Sequence, residues 1–274
     1  MSGLRLMPVA GADRLAELHA AELPQKNELC GPFWATLALR AGGITTGGEP
    51  IDQDAVGLAA ASVLSAIPSD VLPPGEPGRT DYRVSFPTVE DSALSGTSVD
   101  GLVRAIQALS SGSLAVLPVA GPWTPKSVDV VLDTAAACRQ PCTAIANLAT
   151  RHLWGSRTSP ATLLGYLISG DPDLGPPSDW DVGHFVGLLG AVHGPRGTLV
   201  IVADTYRSLG WDGLHLQPVP RMADALARKG SGRPSGVLLV ASPDDTPEIE
   251  RRVRDAGLEV RTWDNGTPDL AHRR

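Results

Sequence analysis

The order of the predicted elements indicates an α+β fold. Helical patterns dominate the first part of the chain, and a clear β pattern comes late, where residues 184–192 and 198–203 form two apolar runs. The short segment 193–197 between them contains Gly and Pro, which is typical of an antiparallel hairpin. No linker or repeat divides the sequence, so residues 1–274 are predicted to form a single domain.

Helical spacing of apolar residues and signals at the helix ends define the predicted helices. Pro24 ends the first pattern, and Gly42 stops the second. Asp52 opens an Ala-rich segment, and Ser98 is a residue type that caps helix N-termini. The predicted helices span residues 11–22, 30–41, 52–66, 99–109, 128–138, 158–169, 220–229 and 247–255.

Short apolar runs bounded by turn residues predict the strands. Residues 67–97 hold five prolines and three glycines, which indicates an irregular loop around one short strand. Residues 170–181 are a second turn-rich run, and the tail 265–274 is expected to fray. The predicted strands span residues 82–86, 114–119, 143–148, 184–192, 198–203, 236–241 and 258–263.

Composition narrows the function classes. Hydrophobic residues make up 42% of the chain but aromatic residues only 4%, which predicts a core built mainly from Ala, Val and Leu. With 23 basic and 30 acidic residues the net charge is −7, which argues against nucleic acid or a membrane surface as the main partner. The first residues lack the apolar region of a signal peptide, and no apolar run is long enough to span a membrane, so a cytoplasmic protein is expected.

The chain has three cysteines, Cys30, Cys138 and Cys142, too few for a disulfide framework or a four-cysteine zinc site. Free thiols suit a reducing compartment. Cys138 and Cys142 form a CxxxC pair without the spacing of redox motifs, and a core or incidental role is expected for them. The sequence has no phosphate-binding glycine motif and no GxSxG, so neither a cofactor nor a metal is expected.

Cys30 is the candidate nucleophile. It opens the second predicted helix within the sequence QKNELCGP, residues 25–32, where the helix dipole favours a thiolate. Gln25 precedes it by five residues, and an oxyanion hole needs such an amide donor together with a backbone N–H. A small buried cysteine that merely opens a core helix is the alternative interpretation.

A histidine and a carboxylate lie on the two strands of the predicted hairpin. His184 begins the first strand in the sequence GHFV, and Asp204 ends the second. Because adjacent strands are about 4.8 Å apart, the two side chains can lie side by side. Asp204 would then orient the imidazole through one nitrogen while the other nitrogen faces Cys30.

These three segments together resemble the papain-like cysteine peptidases, most closely the peptidase C39-like group. The shared features are a helix-opening Cys-Gly-Pro preceded by Gln, then Gly-His-Phe-Val on a strand, then Asp at the end of the next strand. The resemblance covers residues 20–45 and 180–242, and it implies a papain-like fold in which the nucleophile helix packs on an antiparallel sheet. No resemblance is recognised in residues 46–180, which are interpreted as a family-divergent insertion that enlarges this domain.

The resemblance also implies a role for each of four residues. Cys30 would be the nucleophile, His184 the general base and acid, and Asp204 the orienting residue. Gln25 would be the oxyanion donor, although its spacing to the cysteine is slightly shorter than is usual in the family, which leaves Asn27 as a rival donor. The chain departs from the group a second time, because a Thr-Tyr pair follows the Asp where the group often has proline.

Three hypotheses about function follow. The first is a cysteine-dependent acyl-transfer enzyme that works through a thioester on Cys30; with water as the second nucleophile it is a peptidase or amidase, and with an amine it is an amide-forming transferase. Its expected partner is a peptide, amide or thioester substrate, free or carrier-bound, and residues 46–180 would shape the substrate pockets. The second is a catalytically inactive binding module on a papain-like scaffold. The third is an unrelated α+β binding protein in which the motif matches arise by chance.

Overall fold

Helices and strands alternate along residues 3–67, 71–230 and 234–269, the part of the chain that the computed structural model describes. The strands are β1 (Arg5–Pro8), β2 (Thr45–Thr46), β3 (Glu49–Pro50), β4 (Leu64–Ser65), β5 (Thr88–Val89), β6 (Ala115–Ala120), β7 (Thr143–Ala149), β8 (Gly183–His193), β9 (Thr198–Ala203), β10 (Leu214–Pro218), β11 (Gly236–Ala241) and β12 (Glu259–Val260). The α-helices are α1 (Ala12–Ala21), α2 (Cys30–Ala41), α3 (Gln53–Ala59), α4 (Val99–Leu109), α5 (Pro125–Ala136), α6 (Pro160–Ser169), α7 (Val219–Ala227) and α8 (Thr246–Asp255). The fold is therefore mixed α+β, in agreement with the sequence.

Eight of the strands form one antiparallel sheet, in the order β10-β9-β8-β7-β11-β6-β12, with β1 paired to β8. The first half of β8 pairs with β7, and its second half pairs with β1. The predicted hairpin is confirmed, because β9 runs antiparallel to β8 with Ala203 opposite Gly187. The β2–β3 and β4–β5 pairs lie outside this sheet.

Helices cover both faces of the sheet. One core cluster combines α1, α2, α3 and α4 with the sheet, and its members Phe33, Trp34 and Leu102 are almost completely buried. The other cluster combines α5, α7 and α8 with the opposite face, around Leu132 and Met222. Full burial of one such side chain contributes about 1.5–3 kcal/mol, so each cluster fixes its helices on the sheet. None of the helices in the described residues is long and apolar enough to cross a membrane.

Residues 46–180, the segment interpreted as an insertion, are built into the centre of the molecule. They contain β6 and β7, which flank β11 on either side in the sheet. They also contain α4 and α5, which pack in different core clusters. The segment therefore supplies part of the sheet and of both cores as well as long loops.

One predicted helix is too long. The helix predicted over 52–66 begins after the N-cap Asp52 but ends at Ala59. Ala61 takes a left-handed conformation with φ 54°, which a continuing helix cannot accommodate. The chain then turns so that the hydroxyl groups of Ser62 and Thr97 meet at 2.7 Å.

Two predicted strands also differ from the structure. No strand forms at 82–86, because side chains hold this backbone instead; the Arg83 N–H, for example, donates to Asp54 Oδ2 at 2.7 Å. The strand predicted over 258–263 is limited to β12. Conversely, β1 and β10 form where no strand was predicted, and β10 escapes the pattern because its buried positions include polar side chains.

The predicted fraying of the tail does not apply to its first residues. The Asn265 side chain donates to the Thr97 carbonyl at 2.9 Å. Asp269 forms a bridge to Arg104, with 2.7 Å between Oδ1 and Nη2. Residues 265–269 are thus fastened to α4 and to the residue that precedes its N-cap, and residues 270–274 lie outside the described part of the chain.

Candidate active site

Cys30 is the first residue of α2, and its thiol is half-buried. Leu29 occupies the N-cap position without a side-chain cap, and the first turn contains no acidic residue. The first N–H groups of a helix have no partner within the helix, so the Cys30 N–H is available as a donor. The thiol therefore lies in the positive field of a helix N-terminus that no carboxylate of the first turn neutralises.

Two glycines bring α2 close to its neighbours. A Cβ at Gly31 would meet the Leu102 side chain of α4 at 2.8 Å, and a Cβ at Gly187 would meet the Trp34 ring at 2.3 Å. Trp34 lies one turn after Cys30 on α2, and Gly187 lies on β8, the strand that carries the candidate histidine. Close packing of the indole on the bare backbone thus sets the separation between the thiol and that histidine.

His184 lies near the start of β8, and its side chain is buried. The Nε2 atom of His184 lies 3.0 Å from Asp204 Oδ1. Cys30 is near enough to the same ring to help raise its pKa, and because Nε2 faces the carboxylate, Nδ1 is the nitrogen left for the thiol. The structure therefore brings Cys30, His184 and Asp204 together in this order.

Asp204 follows β9 and is held from several sides. Its Oδ1 accepts the N–H of Thr205 at 2.7 Å and that of Tyr206 at 3.4 Å. Its own N–H donates to the Gly213 carbonyl at 2.7 Å. These bonds fix the carboxylate and satisfy it in a buried position, where an unpaired charge would be costly.

The buried pair of His184 and Asp204 shifts the pKa of both members. Burial acts to lower the pKa of His184, but the charge and hydrogen bond of Asp204, together with the Cys30 thiol, outweigh it and raise this pKa to about 10. Burial acts to raise the pKa of Asp204, but His184 and His215 outweigh it and hold this pKa well below its ordinary value. The pair thus favours a protonated ring beside an ionised carboxylate.

Two aromatic rings cover the His184 imidazole. Trp180 contacts it edge-on with 4.9 Å between ring centroids, and Tyr206 stacks at 6.2 Å with an interplanar angle of 15°. The Trp180 indole is held in place by a 3.1 Å hydrogen bond from Nε1 to the Val71 carbonyl. Such a cover limits the access of water to the charged pair, which strengthens its attraction.

Gln25 is buried beside the hairpin, and Thr205 holds it at two points. The Gln25 N–H donates to the Thr205 carbonyl at 3.1 Å, and the Thr205 hydroxyl donates to Gln25 Oε1 at 2.6 Å. Gln25 and Cys30 both line the same cavity. Because the Thr205 hydroxyl occupies the amide oxygen of Gln25, the amide nitrogen on the opposite side is the group left to donate to another partner.

Asn27 also lines the cavity, but it fastens a loop. Its N–H donates to the Arg79 carbonyl at 2.8 Å, and its Oδ1 accepts the Arg79 N–H at 2.9 Å. Its carbonyl accepts the Tyr82 hydroxyl at 2.9 Å. Asn27 thereby ties residues 79–82 to the segment that precedes α2.

The cavity in front of Cys30 has a volume of about 590 Å³, a size typical of small-molecule sites. Segments far apart in sequence line it, among them residues 95–97, 180–185 and 265–267. Glu28 contributes a carboxyl group whose pKa is raised by burial, even though the Ser65 N–H donates to it at 2.6 Å. The thiol therefore lines a half-open cavity with both apolar and polar walls.

The comparisons with known proteins place the chain in a family. A family model described as DUF6885, a family of unknown function, matches residues 9–264. The chain belongs to the DUF6885 family. A search of curated proteins finds no match. The matched range contains every residue of the candidate site, from Gln25 to Asp204.

In this DUF6885 chain, a second histidine contacts the carboxylate of the site. His215 lies on β10 and is buried. Its Nε2 lies 3.6 Å from Asp204 Oδ2. A third buried histidine, His19, donates from Nε2 to the Asp204 backbone carbonyl at 2.6 Å. Alternation along β10 would place Leu214 and Leu216 inward and His215 outward, so the sequence pattern carries no signal for this buried histidine.

The remaining two thiols lie apart from this site. Cys138 follows the end of α5, and its Sγ donates to the Thr134 carbonyl at 3.4 Å. The hydrogen bond between Cys138 and Cys142 lowers the pKa of Cys138 and raises that of Cys142. Across the described residues, no group of three or more His, Cys, Asp or Glu side chains is arranged to hold a metal ion.

Proposed function

We propose that this DUF6885 chain is a cysteine-dependent acyl-transfer enzyme with a papain-like fold, most similar to the peptidase C39-like group. The observation that carries the proposal is that Cys30 and His184 line one substrate-sized cavity, with Asp204 hydrogen-bonded to the far nitrogen of His184. A nucleophile helix packed on an antiparallel sheet also supports the papain-like comparison. The substrate class remains a peptide, amide or thioester, free or carrier-bound.

The first half of the reaction forms the acyl-enzyme. The raised pKa of His184 favours an imidazolium at neutral pH, which is the natural counter-ion of a Cys30 thiolate. The thiolate attacks the substrate carbonyl carbon, and the carbonyl electron pair moves onto oxygen. As the tetrahedral species collapses, the bond to the leaving group breaks, and His184 Nδ1 gives its proton to the departing atom. The product of this half is a thioester on Cys30.

The second half regenerates the thiolate. A second nucleophile attacks the thioester carbonyl, and His184, now neutral, accepts its proton. The C–S bond breaks, which restores the thiolate and the imidazolium. Water gives a carboxylic acid, and an amine gives an amide, so the same residues serve a hydrolase and a transferase.

Gln25 is proposed as the oxyanion donor in both halves. Its amide oxygen is occupied by Thr205, which leaves the amide nitrogen to face the reacting centre together with the Cys30 N–H. Asn27 is less suited to this task because its amide oxygen and backbone hold the loop at residues 79–82. A nucleophile that works as a free thiol also suits the cytoplasmic location expected from the sequence.

Alkylation with iodoacetamide tests the proposal directly. At near-neutral pH, mass labelling should show Cys30 alkylated at least about 10-fold faster than Cys138 and Cys142, because only Cys30 combines a helix N-terminus with an imidazolium neighbour. His184→Ala should slow the labelling of Cys30, whereas Cys138→Ala is the matched control that should leave it unchanged. Equal, slow labelling of all three thiols would refute the activated thiolate and favour the inactive binding module.

A thioester substrate offered with and without an amine separates the two chemical outcomes. Release of thiol that depends on Cys30 supports acyl transfer in either case. An amide product that grows with amine concentration identifies a transferase, and free acid at every amine concentration identifies a hydrolase. Cys30→Ser is the control for uncatalysed thioester cleavage.

A further inference from the structure

The Thr205 hydroxyl lies at the meeting point of the acid–base pair and the proposed oxyanion donor. It is 2.6 Å from Gln25 Oε1, 3.3 Å from His184 Nε2 and 3.4 Å from Asp204 Oδ1. Thr205 itself is buried, so solvent does not compete for these bonds. The position is also where this chain departs from the group it resembles, which often has proline after the aspartate.

The direction of each bond follows from proton counting. A hydroxyl has one proton, and Gln25 Oε1 can only accept, so the shortest contact takes that proton. The lone pairs of Thr205 Oγ1 can then accept from His184 Nε2–H, which is shared with Asp204 Oδ1. No proton remains for the 3.4 Å contact between Thr205 Oγ1 and Asp204 Oδ1, because both atoms act as acceptors in this arrangement.

The chain of donors therefore runs from the imidazole to the amide. His184 Nε2–H donates to Thr205, Thr205 donates to Gln25 Oε1, and the polarised Gln25 amide presents its N–H groups at its opposite end. Hydrogen bonds in series strengthen one another in a buried setting. Without the hydroxyl, the amide could rotate by half a turn and place its oxygen where a negative oxygen develops.

We propose that Thr205 is a positioning residue that orients the oxyanion donor Gln25 and links it to the Nε2–H group of His184. This inference rests on the proposed acyl-transfer function. The proposal explains why Thr205 stands where the resembled group often has proline. Proline would supply neither the hydroxyl nor the N–H that Asp204 accepts at 2.7 Å.

The test compares Thr205→Val, which keeps the shape without the hydroxyl, with Thr205→Ser, which keeps the hydroxyl. Loss of one oxyanion donor costs about 10²–10³-fold in kcat, and a misdirected donor should cost about 10-fold or more in Thr205→Val, with KM within about 2-fold. Thr205→Ser should stay within about 3-fold of the native chain. The losses of Thr205→Val and Gln25→Ala should not multiply in the double variant, because they disable the same donor.

Alkylation separates this role from a general loss of structure. Displacement by iodoacetamide requires the thiolate but forms no oxyanion, so Thr205→Val should keep the native rate at Cys30 while acyl transfer falls. An equal fall in both reactions would overturn the proposal, since Thr205 would then act on the thiolate or on folding. Native kcat in Thr205→Val would overturn it as well.

A spectroscopic experiment tests the positioning role of Thr205 independently of activity. If the native chain turned over no acyl substrate, only the proposed function would be refuted, and this experiment would still decide whether Thr205 orients Gln25. The side-chain amide resonances of Gln25, assigned by their disappearance in Gln25→Ala, should move in Thr205→Val and stay near their native positions in Thr205→Ser. Unmoved resonances in Thr205→Val would overturn the positioning role.

Discussion

Asp204 lies between two buried histidines, and its two sides differ in what lies beyond each ring. On one side, His184 Nε2 is 3.0 Å from Oδ1, and the same ring contacts the Cys30 thiol and lines the cavity. On the other side, His215 Nε2 is 3.6 Å from Oδ2, and its Nδ1 is 3.0 Å from Gln217 Nε2. Both are buried histidines beside the same carboxylate, and they differ in their distance to it and in the surroundings of the second nitrogen.

Gln217 fixes the state of the His215 ring. Gln217 Oε1 accepts the Trp154 N–H at 2.7 Å, and its Nε2 donates to the Trp154 carbonyl at 3.0 Å. The same Nε2 must also be the donor toward His215 Nδ1, so Nδ1 carries no proton and the ring proton lies on Nε2. Both nitrogens of His215 are thus used inside the protein. The comparison teaches that a buried histidine beside a carboxylate becomes a candidate acid or base only where its second nitrogen faces a reacting group.

Truncating each histidine in turn is the strongest way to break this comparison. His184→Ala removes the proposed acid and base, which contribute about 10²–10⁴-fold in enzymes of this kind, so kcat/KM for an acyl substrate should collapse. His215→Ala removes only a neighbour of Asp204, and its loss should stay below about 10-fold at a temperature where the variant is folded. Equal losses, with both variants folded by circular dichroism, would show that the two rings have equal parts in the reaction.

Asp204→Asn sharpens the comparison by removing the charge that the two histidines share. The loss in kcat is expected to be large but smaller than for His184→Ala, because the ring and the thiol remain. Stability should change with pH as well. The imidazolium of His184 stabilises the native chain fully below pH about 6.5, and this contribution is lost as pH rises through its raised pKa near 10.

Urea unfolding at several pH values checks this sign. Between about pH 6 and pH 10 the native chain should lose a few kcal/mol from this titration, and Asp204→Asn should lose less than about 1 kcal/mol. At the acid end, the depressed pKa of Asp204 stabilises the native chain above its ordinary value of 3.8, and this contribution is lost as pH falls through the lowered pKa. An alkaline decline of the same size in both proteins would mean that the pair is not the source.

The sequence predicts the parts of the site whose determinants are local. The start of α2 and the Ser98 cap depend on neighbouring residues; the cap, for example, is completed by the Gly101 N–H at 3.0 Å. The β8–β9 hairpin is equally local, which is why the approach of His184 and Asp204 could be expected from the pattern alone.

The other side of Asp204 could not be predicted, because its determinants are remote in sequence. The buried polar side chains of β10 find remote partners; Trp154, for example, satisfies Gln217 from 63 positions away. Thr205 shows the same limit. The sequence shows only that Thr205 departs from the pattern of the resembled peptidase group. Its role could not be predicted because its partner Gln25 lies 180 positions earlier in the chain.

Gln217→Leu gives the smallest effect on activity and the cleanest separation of the two sides. It leaves the buried Trp154 N–H and His215 Nδ1 without a partner, which should cost about 1–3 kcal/mol in the free energy of unfolding. Its kcat/KM should remain within about 3-fold of the native value, because the His184 side of Asp204 is untouched. Gln140→Leu, at an exposed position, is the matched control and should change neither quantity. A structural support affects catalysis only as far as its loss displaces Asp204. If kcat/KM in Gln217→Leu fell far more than the loss in free energy of unfolding explains, Gln217 and His215 would lie in the reaction path. The distinction between the two histidines would then disappear.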